Sequence, residues 1–199
     1  MDTTMSPTTV DGVEQPDLLA RNIRVGSRIW AASQAFFFLA FFFAFLYLRA
    51  LNTNGLWRGW PPHHPTPSMA YGVAILICVL GSAAIARGAV LIAPEMWRVT
   101  AWAALVFALA AIGLQCAQFS SLGFGPTDAA YASVFVGWSG LFTVFLLGTC
   151  YWLVTVIGDV TRAGGLPVVR AAAVDGVGFV MLVLAGIEIA AFILLYIVK

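Results

Sequence analysis

Charged residues along this chain are separated by long apolar runs. Twenty uncharged residues lie between Arg28 and Arg49, 28 between Arg58 and Arg87, 29 between Arg98 and Asp128, and 30 between Asp128 and Asp159. Beyond Asp175 the only charged side chains are Glu188 and Lys199. A helix rising about 1.5 Å per residue needs roughly 20 apolar residues to cross a hydrocarbon core. The pattern therefore predicts five spans, at 29–50, 69–91, 98–121, 130–158 and 174–198. Backbone amides in lipid must be satisfied within their own segment, so the spans are helices. None shows the alternation of a membrane barrel strand. The expected fold class is all-α, an integral membrane bundle of five transmembrane helices over residues 29–199.

Residues 1–28 break the pattern. Asp2, Asp11, Glu14 and Asp17 with Pro7 and Pro16 predict a polar, disordered cytoplasmic tail. The first apolar run ends at Arg49 with no small-residue cleavage pattern, so the tail is expected to remain attached. Basic residues set the orientation. Arg21, Arg24, Arg28, Arg87, Arg98, Arg162 and Arg170 fall on one side, against Arg49, Arg58 and Lys199 on the other. The larger group places the N-terminus in the cytoplasm and the C-terminus outside. Trp30, Trp57, Trp60, Trp97 and Tyr131 fall near the predicted interfaces, where amphipathic rings concentrate.

Short connections make spans 2, 3 and 4 antiparallel neighbours. Small residues four apart (Ser82 with Ala86, Ala84 with Gly88, Gly186 with Ala190) permit close helix approach, or simply reflect membrane-helix composition. The absence of an internal repeat counts against a transporter built from inverted halves.

Composition agrees with the pattern. Hydrophobic residues make up 61% of the chain and charged ones 10%, with net charge +1 and mean hydropathy +0.94. A soluble domain carries roughly a quarter charged residues, so a water-facing surface is excluded. The near-neutral balance removes any electrostatic case for nucleic acid.

Chemistry is sparse. His63 and His64 are adjacent in a Pro-rich loop, and no span carries a histidine that could ligate a haem. Cys78, Cys116 and Cys150 lie singly in three different spans, with no metal or redox spacing. No catalytic residue, metal ligand set or cofactor motif is expected in this chain. The remaining signal is polar residues within spans: Glu188, Gln115, Gln118 and Gln34. Counting from Val174 places Glu188 about 21 Å along its helix, slightly past the midplane. A bare carboxylate there must be protonated, paired or facing a wet cavity. Gln115 and Gln118, three apart, share a helix face. Two readings of Glu188 follow: a hydrogen bond to Gln115 or Gln118 that fixes span 5 against span 3, or a proton relay. The first is preferred, since a relay needs several titratable groups in series.

Four segments carry a family likeness. Arg24-Val-Gly-Ser-Arg-Ile-Trp-Ala-Ala-Ser-Gln-Ala-Phe-Phe-Phe38 is similar to an opening helix of pattern G-x-x-x-W-x-x-S-E-x-x-F-F. Trp60-Pro-Pro matches a loop segment, and Gly113-Leu-Gln-Cys-Ala-Gln-Phe119 resembles G-Q-x-x-E-[YF] with Leu114 as an extra residue. Residues 123–135, Gly-Phe-Gly-Pro-Thr-Asp-Ala-Ala-Tyr-Ala-Ser-Val-Phe, resemble the approach to the next helix. In order and spacing these resemble subunit III of the haem–copper respiratory oxidases in its five-helix bacterial form, over residues 22–199. The chain departs where that family keeps ionisable groups. Gln34 and Gln118 stand where it has carboxylates, and Phe142 and Phe145 where it has histidines. If Glu188 stands for the acid of its last helix, Leu184 and Ala185 replace a neighbouring Trp and His.

The resemblance implies an accessory subunit of a cytochrome c or quinol oxidase in a bacterial plasma membrane. Haem and copper would sit in the partner subunits I and II, and this chain would bind phospholipid and support proton uptake. Candidate lipid contacts are Arg49, Trp57 and Arg58 at the outer end and Arg28 with Trp30 at the inner end. Alternatives are an accessory protein of a nitric oxide reductase and a small channel or transporter.

Overall fold

The structure is a computed structural model that describes residues 15–52, 57, 66–91, 96–163 and 167–198. It contains five helices: α1 (Pro16–Ala50), α2 (Met69–Leu91), α3 (Trp97–Ser121), α4 (Ala130–Ala163) and α5 (Pro167–Phe192). A π-helical segment, Ile193–Val198, continues α5. All five are long and apolar enough to cross a membrane, and no strand occurs among the described residues. The protein is an all-α, multi-pass membrane bundle.

Three spans begin within a residue of their predicted starts. α1 and α5 begin earlier, 13 and seven residues before residues 29 and 174. The tail assigned to 1–28 is thus helical from Pro16, and residues 1–14 lie outside the described set. The reason is local. Pro16 sits in the first turn, where its missing N–H is no loss, and Asp17 in the same turn complements the helix dipole. Farther along, Ala20 and Ser27 face inward, so the extension has a packed side.

Contacts between helices give the layout. α5 packs on α1, α2 and α4, while α3 bridges α2 and α4. Half of the most apolar window of α5 is buried, against 22% for α1. α5 is therefore the central post and α1 the most exposed helix. The end of the bundle where α1 begins is the near end, and the opposite one the far end. Near the former, Arg87 of α2 forms an ion pair with Asp175 of α5. One turn inward, a Cβ on Gly178 would lie 3.3 Å from the Ala86 carbonyl oxygen, tighter than most such contacts, so glycine eases the close approach of these two backbones. Farther in, the buried Ser82 hydroxyl donates to the Ala104 carbonyl (2.8 Å), tying α2 to α3.

The small-residue stripes separate accordingly. Ser82 and Ala86 lie in contacts between helices. Ala84 is exposed, and a Cβ on Gly88 would meet nothing. Gly186 and Ala190 instead line an apolar groove of about 310 Å³ between α1, α4 and α5. Four-residue spacing marks close packing only where the face also points inward.

Candidate functional site

The far end holds a buried polar joint built from four helices. Gln115 and Gln118 lie on one face of α3, and Gln115 Nε2 donates to Gln118 Oε1 (3.1 Å). Gln118 is completely buried. Its Nε2 donates to the Tyr196 hydroxyl at 2.8 Å, and that hydroxyl lies 3.1 Å from Oε1 of the same amide. The Tyr196 ring rests on α2, where a Cβ on Gly72 would come within 2.7 Å of it. It also meets Phe135 of α4 edge-on, with centroids 5.8 Å apart.

Backbone groups at the same end are satisfied by the same residues. The last carbonyls of a helix lack intrahelical partners. Here the Tyr131 hydroxyl donates to the Leu195 carbonyl oxygen (2.5 Å), closing the end of the π segment. The Tyr131 amide, in the first turn of α4, donates to the Trp57 carbonyl oxygen (2.9 Å). Trp57 N–H in turn donates to Asn52 Oδ1 (2.9 Å). The Trp57 ring then fills the space between Phe45 and Tyr131, with centroids 5.1 and 5.7 Å away. Trp57, beyond the end of α1, is therefore plugged into the joint.

The joint differs from the expected pairing. Gln115 and Gln118 do hold the last helix, but through Tyr196 rather than Glu188. Glu188 is only 7% exposed and makes no hydrogen bond or ion pair among the described residues. Tyr196 is eight residues beyond Glu188. At about 100° per residue it would stand well off the Glu188 face. The i→i+5 bonding of the π segment winds more slowly and turns Tyr196 toward the interior. No pattern in the sequence announces that change of winding. Gly72 was also missed, because a glycine early in a membrane helix is unremarkable until its neighbour is known.

Gln34 does not join this cluster. It lies on α1 and is completely buried, and neither its Nε2 nor its Oε1 has a hydrogen-bond partner among the described residues. One turn on, Phe38 packs against Trp138, Phe142 and Phe145 of α4, with centroids 5.6, 6.1 and 5.9 Å apart. Trp30 and Phe37 add further contacts to Phe145. This interface is aromatic, and the Trp138 indole N–H within it is also without a partner among the described residues.

The candidate lipid contacts divide. Arg28, Trp30 and Arg49 are exposed, as surface anchoring requires. Trp57 is buried, because Phe45 and Tyr131 enclose its ring, and so it does not face lipid. Arg58, Trp60, His63 and His64 lie outside the described residues. Among the described residues no three His, Cys, Asp or Glu side chains gather as metal ligands. Chemically the joint is a lock: two carboxamides and two phenols hold three helix ends together without a nucleophile–base pair.

No family model matches the chain, and no curated protein matches its sequence.

Proposed function

We propose that this chain is the noncatalytic subunit III of a bacterial haem–copper terminal oxidase. One observation carries the reading. Of the positions at which the resembled family keeps ionisable groups, Gln34, Gln118 and Phe142 point into the bundle and Phe145 is half-buried. Their neighbours in the matched segments, Ser27, Phe38, Tyr131 and Phe135, are interior as well. These interior positions support the reading as packing that a shared scaffold would preserve; Gly26, Trp30, Ser33 and Phe37 of the same opening-helix pattern are exposed and add nothing to it.

In this role the chain contributes rigidity and lipid contacts to aerobic electron transport and proton uptake. Haem and copper belong to the partner subunits I and II. It would lie in the plasma membrane with its N-terminus in the cytoplasm, following the excess of arginine at the near end. Glu188, the one carboxylate deep within its span, serves here as a buried carboxyl rather than as one link of a relay.

The test is purification of the tagged full-length chain in mild detergent, with mass spectrometry of its partners and a visible absorption spectrum. The expected result is co-purification with a haem-bearing oxidase subunit and reduced-haem bands. Recovery with a nitric oxide reductase, or as a haem-free chain that transports a solute alone, would overturn the reading.

A further inference from the structure

The end of α5 is wound against its own sequence. Residues 193–198 read Ile-Leu-Leu-Tyr-Ile-Val, with neither Gly nor Pro, and they continue an α-helix of 26 residues. Nothing local in them asks for i→i+5 bonding, which is rare and occurs mostly as single turns. Burial shows what the slower winding achieves. Leu194, Leu195 and Tyr196 are consecutive and all interior, at 8%, 1% and 6% exposure, between the exposed Ile193 and Ile197. At 3.6 residues per turn, three successive side chains spread over about 200° of the helix. π winding narrows that arc and lets one side of the helix bury all three.

Contacts from other helices hold the winding in place. The Tyr131 hydroxyl of α4 donates to the Leu195 carbonyl oxygen, a backbone group inside the segment. Gln118 of α3 holds the Tyr196 hydroxyl, and the Tyr196 ring occupies the room left by Gly72 of α2. Tyr131 is itself seated between Trp57 and Phe135, with ring centroids 5.7 and 6.1 Å away. Its amide donates to the Trp57 carbonyl oxygen, and Asn52 holds the Trp57 N–H. Direct contacts thus run from Asn52 through Trp57 and Tyr131 to Leu195. The π state rests on two phenol hydrogen bonds, whereas an α state of the same residues needs neither. Local and tertiary preferences that oppose each other in this way make a two-state element.

We propose that Ile193–Val198 is a conformational switch, π-wound while Trp57 is seated against Tyr131 and α-helical once Trp57 is withdrawn. Withdrawal frees the Tyr131 ring, and the Leu195 carbonyl loses its donor. Rewinding then turns Tyr196 away from Gln118. The end of α5 thereby passes to α3 whether Trp57, beyond the end of α1, is in its seat. The device stands on the membrane bundle alone and does not depend on the oxidase reading.

Nuclear magnetic resonance of the isotope-labelled full-length chain in detergent micelles tests this, because α and π windings bring protons together across four and five residues respectively. The unaltered chain should show five-residue contacts over 193–198. Trp57→Ala should replace them with four-residue contacts, with the segment still ordered. Trp57→Phe keeps a ring against Tyr131 and should stay π-wound. Tyr131→Phe deletes one hydroxyl and should raise the α-to-π ratio about five- to tenfold, the scale of one lost hydrogen bond. Trp102→Ala, at an exposed position on α3, should change nothing. An unchanged winding in Trp57→Ala or an unchanged ratio in Tyr131→Phe would overturn the switch, since the winding would then be intrinsic to the segment. Fraying of 193–198 into an unstructured end would overturn it too, because a lock that only breaks has no second state. An equal shift in Trp102→Ala would reduce the effect to general destabilisation and also overturn it. If Trp57→Ala does not fold, Asn52→Ala, which removes the acceptor that holds the Trp57 N–H, decides with Tyr131→Phe on the same criteria.

Discussion

Gln118 and Gln34 are the same residue type, both fully buried, in opposite circumstances. Gln118 is bonded to Gln115 and Tyr196 and knits α3 to the end of α5. Gln34 has no partner for either polar atom among the described residues and sits where Phe38 begins an aromatic seam with α4. Burying an amide without a hydrogen bond costs about 1–3 kcal/mol by mutational measures. The same side chain therefore strengthens one interface and weakens another. Its neighbours decide which: the Tyr196 phenol supplies a complementary group, whereas phenyl rings supply none. A buried polar residue in a membrane helix is thus not in itself a sign of a network.

The largest effect is expected at Gln118. Gln118→Leu would leave the Gln115 amide and the Tyr196 hydroxyl without their partners while nearly conserving volume. We expect a loss of about 2–3 kcal/mol, above the average for a single interhelical bond in lipid because two groups are orphaned together. Unfolding by sodium dodecyl sulfate in mixed micelles, followed by far-ultraviolet circular dichroism, measures it. Adding Tyr196→Phe should then cost little more, since the bond it removes is already gone. Additive losses would show that the two residues act separately and dissolve one side of the comparison.

Gly72→Ala probes the same joint without touching a polar atom. The new Cβ would fall 2.7 Å from Cε1 and Cζ of Tyr196. The ring must move, and its hydroxyl moves with it, away from Gln118. A destabilisation of about 1–2 kcal/mol is expected in the same unfolding assay. A small change would mean that the ring can shift while keeping its bond.

How much of this was visible beforehand follows from the physics of each feature. Span boundaries were legible because charge is excluded from hydrocarbon over a fixed thickness, and Met69–Leu91 appears as predicted. The early start of α1 was not, since residues 16–28 carry Asp17, Arg21, Arg24 and Arg28, and the spacing of charges marks membrane spans rather than helix ends. At the joint, Gln115 and Gln118 were legible as polar residues on one face. Their partner was not, because the choice of Tyr196 over Glu188 depends on the winding of residues 193–198. Trp57 read as an interfacial ring because a tryptophan beside a span is usually one. Its burial depends on Phe45 and Tyr131, which are remote in sequence.

Gln34→Leu sharpens the comparison most directly, although its effect is the smallest. Leucine is close to glutamine in volume, and it removes two unsatisfied polar atoms from an apolar seam. With no hidden partner, the variant should gain about 1 kcal/mol in the isolated chain, because an uncompensated desolvation disappears. Gln118→Leu, an identical change at equal burial, should move in the opposite direction in the same assay. The two signs together separate a satisfied amide from an orphaned one. Should co-purification yield a partner subunit as proposed, the measurement can be repeated in that complex. If Gln34→Leu stabilises the isolated chain but weakens the assembly, the amide finds its partner only there. A loss in the isolated chain would instead mean that Gln34 is hydrogen-bonded within it, and the contrast between the two glutamines would fail.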